Sequence, residues 1–228
     1  MTSTVNGRSR RARPPAALAL VGLALAGLAP PALLAQSAQP ILESAAERYE
    51  ALAAFCADFR QQVDVTLLRE TIRSAGELCQ ARPDRLEMRF TDPAGDRVVA
   101  DGTYLWVYFP SVDDGQVVRS SLASGSRMDL HREFLSEPGR RYSATLEGRE
   151  IVDGRECHVL SLTPQVASPY RRARVWIDAS DFLIRRLVIV EESESVRTLD
   201  LSNIRLNPSL DAARFRFDPP PGVQVIAR

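Results

Sequence analysis

The chain has 228 residues, 45% hydrophobic and 25% charged, with 29 basic and 29 acidic side chains in balance. That is ordinary globular composition, and it lacks the concentrated basic face that a nucleic-acid binder needs. No lysine occurs, so every basic residue is an arginine.

Residues 1–13 hold Arg8, Arg10, Arg11 and Arg13 and no acid. "AALALVGLALAGLA", residues 16–29, is unbroken and apolar, and Pro30-Pro31 and "LLAQSAQP" follow. This order of charged, apolar and small-residue regions reads as a secretory signal spanning residues 1–35, with cleavage near Ala35 or Ala38. The apolar core falls short of the ~20 residues that a spanning helix needs, although an uncut anchor is the alternative. Arg10-Arg11 leaves both Sec and twin-arginine export open, and no cysteine stands at the cut to take a lipid. Loss of residues 1–35 removes four arginines and leaves a net charge of −4. The expectation is one exported, periplasmic, soluble domain over residues 36–228, a monomer with no stable membrane insertion and no nucleic-acid partner.

In "ILESAAERYEALAAF", residues 41–55, the apolar residues Ile41, Leu42, Ala45, Ala46, Tyr49, Leu52 and Ala53 form one helical stripe. The period then switches to two, giving strands near 56–66, 69–82 and 84–91, a turn at 92–96, and strands at 97–100 and 103–110 around Asp101-Gly102. An Asp-Gly pair between apolar runs is a hairpin signal because glycine accepts positive φ. A strand at 116–122 is followed by an excursion at 123–139 that reads as a short helix. Strands resume at 142–152, 157–164, 172–178, 182–192 and 196–206, with Asp153-Gly154 a second hairpin signal. Residues 211–226 give a helical turn and a last small strand.

About ten strands in series curl strongly, because sheets twist. The pattern predicts a mainly β fold with few helices: an incomplete, half-open antiparallel β-barrel closed by a helical lid. The lid would come from 41–55 and 123–139.

Of three cysteines, Cys56 and Cys79 fall opposite one another if their strands pair antiparallel and turn near residues 67–68. Cross-strand neighbours lie close enough to bridge after modest adjustment. The reading is a Cys56–Cys79 disulfide with Cys157 free; three buried thiols are the alternative. No C-x-x-C or Cys/His cluster suggests a metal, and no cofactor is expected. The two histidines are His131 and His158, and the neighbours Cys157 and His158 point to opposite faces of a strand. No nucleophile elbow, phosphate loop or zinc motif occurs, so an enzyme is not expected.

In residues 85–90, Leu86, Met88 and Phe90 take one face and Arg85, Glu87 and Arg89 the other, with Arg82-Pro83 just before. By alternation Arg82 shares the apolar side. A guanidinium buried at such a rim needs acceptors, and the unpaired carbonyls at a helix end are natural ones. The bland alternative is an exposed strand-end arginine. The candidate lining of the hollow is Tyr49, Phe59, Val63, Leu86, Met88, Phe90, Val98, Trp106, Tyr108, Met128, Leu130 and Phe134, each of which would serve equally as plain core.

Four segments carry a family resemblance: "FCADFRQ" (55–61), "GELCQARP" (76–83), "DGTYLWVYFP" (101–110) followed by "QV", and "FRFDPPPGVQVI" (215–226). In this order they resemble the LolA family of periplasmic outer-membrane lipoprotein carriers. The resemblance implies a half-barrel whose hollow takes the acyl chains of lipoproteins. It implies cargo received from an inner-membrane transporter complex and passed to an outer-membrane acceptor. The family's Arg-Pro arginine falls on Arg82, which then latches the lid backbone and lets go when cargo binds. The chain departs from the family where Cys79, Leu86 and Met88 stand in place of aromatic residues. A carrier of another lipid and an envelope-sensing regulatory module are the other readings the pattern allows.

Overall fold

A computed structural model describes residues 1, 2, 4, 37–122 and 131–228, with only the backbone of residues 131 and 132. Gln36–Arg228 form one compact unit. The chain runs α1 (Ala38–Glu50), β1 (Ala54–Val65), β2 (Glu70–Ala81), β3 (Arg85–Asp92), β4 (Ala94–Asp101), β5 (Tyr104–Tyr108) and β6 (Gln116–Ser121). A wide helical turn (His131–Leu135) and the short α2 (Pro138–Arg141) lead into β7 (Tyr142–Val152) and β8 (Arg155–Pro164). Then come β9 (Tyr170–Asp178), β10 (Ile184–Glu191), β11 (Val196–Leu206), a tight turn (Ala212–Phe215) and β12 (Gln224–Ala227). Among the described residues no helix is long and apolar enough to cross a membrane.

The twelve strands form one open sheet in the order β12-β6-β5-β4-β3-β2-β1-β11-β10-β9-β8-β7. Neighbours pair antiparallel except β12, which lies parallel to β6. The architecture is the expected incomplete barrel: a mainly β, unclosed sheet capped by helices. Both Asp-Gly signals fall in tight turns. Asp153 and Gly154 have φ of 50° and 75°, the pair of left-handed residues a two-residue hairpin demands. Asp101 instead accepts from the Thr103 and Tyr104 N–H groups, each at 2.8 Å, and so fixes the next turn.

α1 buries Ala38, Ile41, Leu42, Ala45, Ala46 and Tyr49. It stops at Glu50, short of the expected 55. No residue in 50–55 breaks a helix by itself. Tertiary contacts end it: the Ala53 and Ala54 N–H groups donate to Asn207 Oδ1 at 2.8 and 3.2 Å, and Phe55 is drawn into the sheet. The α1 stripe packs on inward side chains from both halves of the sheet, among them Phe59, Leu78 and Phe90 on one side and Leu160, Val175 and Leu199 on the other. Between Phe59 and Phe90 lies Gly76, paired with both. A Cβ there would meet the Arg89 carbonyl oxygen at 2.1 Å, so only glycine lets the two strands approach. The two rings meet edge to face above it at 5.1 Å.

The convex face has its own cover. After β11 the chain crosses it and places Phe217 against Val99, Val117, Trp106 and Tyr108. Trp106 and Tyr108 are therefore outside the hollow, contrary to expectation. The physical reason is register: Val98 pairs with Val107 and Val99 with Trp106, and directly opposed residues share a face. With Val98 inward, Leu105, Val107 and Phe109 must be inward too.

Candidate functional site

Arg82 stands in the β2–β3 turn. Its N–H donates to the Ala53 carbonyl at 2.9 Å, its Nε to the Leu52 carbonyl at 2.9 Å and its Nη2 to the Tyr49 carbonyl at 3.0 Å. These carbonyls sit at or just past the end of α1, where oxygens lack intrahelical partners and the helix dipole is negative. The structure corrects one expectation: Arg82 is exposed to solvent rather than buried in the rim. Its two side-chain bonds are therefore screened and weaker than the roughly 1.5–3 kcal/mol of sheltered charged hydrogen bonds.

The same last turn of α1 is tied to the other half of the sheet. The Ile184 N–H donates to the Tyr49 hydroxyl at 3.2 Å, and the Tyr49 ring packs edge-on to Phe55 at 5.5 Å. Burial pushes the Tyr49 phenol up to about 12, outweighing the Ile184 N–H that favours the phenolate. Arg82 and Tyr49 thus hold one helix end across the hollow.

The second part of the cap is held differently. Glu133 is buried and accepts from the Tyr170 hydroxyl at 2.6 Å, while the Tyr142 hydroxyl donates to the Glu133 carbonyl. The two phenol oxygens lie 2.6 Å apart, and Arg141 reaches the carboxylate at 3.4 Å. Burial first, then the contacts with Glu133 and Tyr142, push the Tyr170 phenol far above its ordinary value. Phe134 lies over both rings, with centroids 6.4 Å from Tyr142 and 5.7 Å from Tyr170.

Of the expected lining, Tyr49, Phe59, Leu86, Met88, Phe90, Val98 and Phe134 come together in one buried cluster between cap and sheet. Val63 is half-buried and outside that cluster. Met128 and Leu130 lie outside the described residues. Sequence reasoning missed Val107, Phe109, Leu122, Leu146 and Ile189, half-buried apolar side chains that fringe the cluster. The odd positions of 103–110 carried the signal for the first two, but larger aromatic neighbours drew attention away.

Cys56 and Cys79 form the expected disulfide, directly opposite one another with Cα atoms 4.1 Å apart. Among the described residues, the close group of sulfur and carboxylate atoms is Cys56, Glu77 and Cys79, and this bridge occupies both of its sulfurs. Cys157 is free and buried, and burial pushes its thiol up to about 11, which suits a packed side chain rather than a nucleophile. It packs with Val159 and Trp176, on the strand face opposite that of its neighbour His158.

These features define a class: a lidded half-barrel with an apolar concave face and main-chain ties at its rim. The chain belongs to the LolA family, since the family described as "Outer membrane lipoprotein carrier protein LolA" matches residues 50–218. It is similar to an outer-membrane lipoprotein carrier protein of Dechloromonas aromatica, 29% identical over 181 residues, covering 75% of this chain and 79% of that one. A protein of the same description from Halorhodospira halophila is 30% identical over 153 residues, covering 67% and 69%. Among solved structures, an uncharacterized conserved protein from Thermus thermophilus matches with a TM-score of 0.55 at 17% identity, over 84% of this chain and 99% of that one.

Proposed function

We propose that this protein is a periplasmic carrier that takes the acyl chains of lipoproteins under its cap and moves them from the inner to the outer membrane. Residues 1–35 then serve as the export signal of a single carrier domain, residues 36–228. An inner-membrane transporter complex loads the carrier and an outer-membrane acceptor empties it. The reading needs neither cofactor nor catalysis.

The observation that carries it is the Arg82 tie to the Tyr49 and Leu52 carbonyls at the edge of an apolar concave face. Each methylene buried contributes about 0.8 kcal/mol, so four or five methylenes, about 3–4 kcal/mol, outweigh the two solvent-screened side-chain bonds. An acyl chain that binds the open state better than the closed one shifts the cap open. When the chain leaves, the exposed guanidinium finds its carbonyls again, and this recapture favours release.

The test is a two-stage assay with a triacylated lipoprotein. Arg82→Leu is expected to load normally and to deliver to the acceptor at least about tenfold more slowly, a barrier change near 1.4 kcal/mol. Wild-type delivery would remove Arg82 from the mechanism. Mass spectrometry of lipid that co-purifies with the protein tests the cargo. Triacylated peptide supports the reading, and phospholipid alone would make the protein a carrier of another lipid.

A further inference from the structure

We propose that Gln80 is a specificity-determining residue that reads the amide of an N-acylated cargo and so favours amide-linked over ester-linked chains. The proposal rests on the carrier reading above. Gln80 is 5% exposed, and both Nε2 and Oε1 are buried without a hydrogen-bond partner. Its cross-strand neighbours are Phe55 and Leu86, two members of the inward-facing core, so its carboxamide points to the concave side. It lines a cavity of about 30 Å³ together with Tyr49, Leu52, Phe55 and Arg82.

A primary carboxamide brings two donors and two acceptor sites, and burying it unpaired sacrifices its hydration for nothing in return. Folded proteins keep few such groups, and those they keep call for a partner from elsewhere. An apolar residue would pack between Phe55 and Leu86 without that cost. The matching ligand group is a secondary amide, whose N–H donates to Gln80 Oε1 while its carbonyl, trans to that N–H, points away. An ester offers the carbonyl alone and leaves Oε1 unpaired. A site built around a hydrogen bond discriminates strongly against an analogue that lacks the partner.

The cavity has room for about one water molecule. A ligand amide is larger than one water, so the lining must part to admit it. Arg82 and Leu52, two of the residues that line the cavity, are the donor and an acceptor of one bond of the tie, 2.9 Å long. Release of that bond widens the way to the Gln80 site and loosens the end of the cap together.

The experiment uses the mature chain and two synthetic lipopeptides of one sequence. In one, a palmitoyl chain is joined through an amide to a diaminopropionate side chain; in the other, through an ester to serine. Displacement of a fluorescent fatty acid gives both affinities. The wild type is expected to prefer the amide by about tenfold, and Gln80→Leu to bring the two within about twofold. The Gln80 side-chain ¹⁵N–¹H signals, followed in the wild type, are expected to shift with the amide probe and not with the ester, a readout independent of how the variant folds. Equal wild-type affinities, or a preference that survives Gln80→Leu, would overturn the proposal and make Gln80 a residue satisfied by buried water alone. That result leaves the carrier reading intact, whereas failure of both probes to bind the wild type overturns the two together.

Discussion

The two faces of β3 are covered by different means. On the concave side Leu86, Met88 and Phe90 lie in one apolar cluster with the cap, which is tied by hydrogen bonds at Tyr49 and Glu133. On the convex side Glu87, whose side chain is fully buried, is gripped by Arg97 at 2.7 Å, Arg214 at 2.5 Å and Arg89 at 3.2 Å. Arg214 also pairs with Glu77, and Phe217 lies 5.7 Å from both Trp106 and Tyr108. Apolar contact is non-directional and re-forms easily after parting, while a buried ion cluster holds one arrangement. The same sheet thus carries one cover suited to opening and one suited to staying shut.

Substitutions can break that contrast. The largest effect is expected for Glu87→Ala, which takes the carboxylate from the partly buried Arg97 and leaves Arg214 with Glu77 alone, and should cost about 3–5 kcal/mol in denaturant unfolding. Arg82→Leu, at an exposed site, should cost under about 1 kcal/mol in the same assay. Reversal of that order would show that the cap, not the convex cover, is the firm side. Removing the bridge by Cys56→Ala with Cys79→Ala opens a link between residues 23 apart in sequence and should cost about 3 kcal/mol. A smaller change is expected for Phe217→Leu, up to about 1.5 kcal/mol, with a red shift in Trp106 emission. Acyl-chain binding should leave that emission unmoved, because Trp106 faces away from the hollow. A Trp106 response to cargo would couple the two covers.

The mildest probe is pH. Tyr49 titrates near 12 and Tyr170 higher, against about 10 in an unfolded chain. The folded state holds these protons more tightly, so their contribution is complete below pH 10 and is lost as pH rises from 10 towards 12. Both tyrosines tie the cap. Tyr49→Phe with Tyr170→Phe should flatten the alkaline decline in melting temperature, and an unchanged decline would place the sensitive groups elsewhere.

Much of the frame was legible from alternation and turn chemistry. The strand bounds 142–152 and 196–206 match the chain as folded, and the register that set Cys56 opposite Cys79 followed from two alternating runs and one turn. Arg82 was legible because an arginine beside an apolar ladder must answer for its donors. Its exposure was not, since strand parity gives a direction and says nothing of solvent on the far side. The face of Trp106 was misjudged by weighing ring size above parity. The parallel pairing of β12 depends on where the 207–223 segment crosses the sheet, which no local pattern encodes. Glu133, Tyr142 and Tyr170 lie up to 37 residues apart, and only folding brings their polar atoms together.

The position of β1 has a consequence for how the molecule is made. Its second neighbour is β11, joined from Phe55 with Leu206 to Asp64 with Val196. A chain that emerges from its N-terminus first must hold the free side of β1 open until about the last seventh of the sequence arrives. Such distant pairing is slow to form, and a bare strand margin invites other chains to dock. Fragments that end before residue 196 should therefore clump, and a helper that shields β1 should raise the yield of the whole protein.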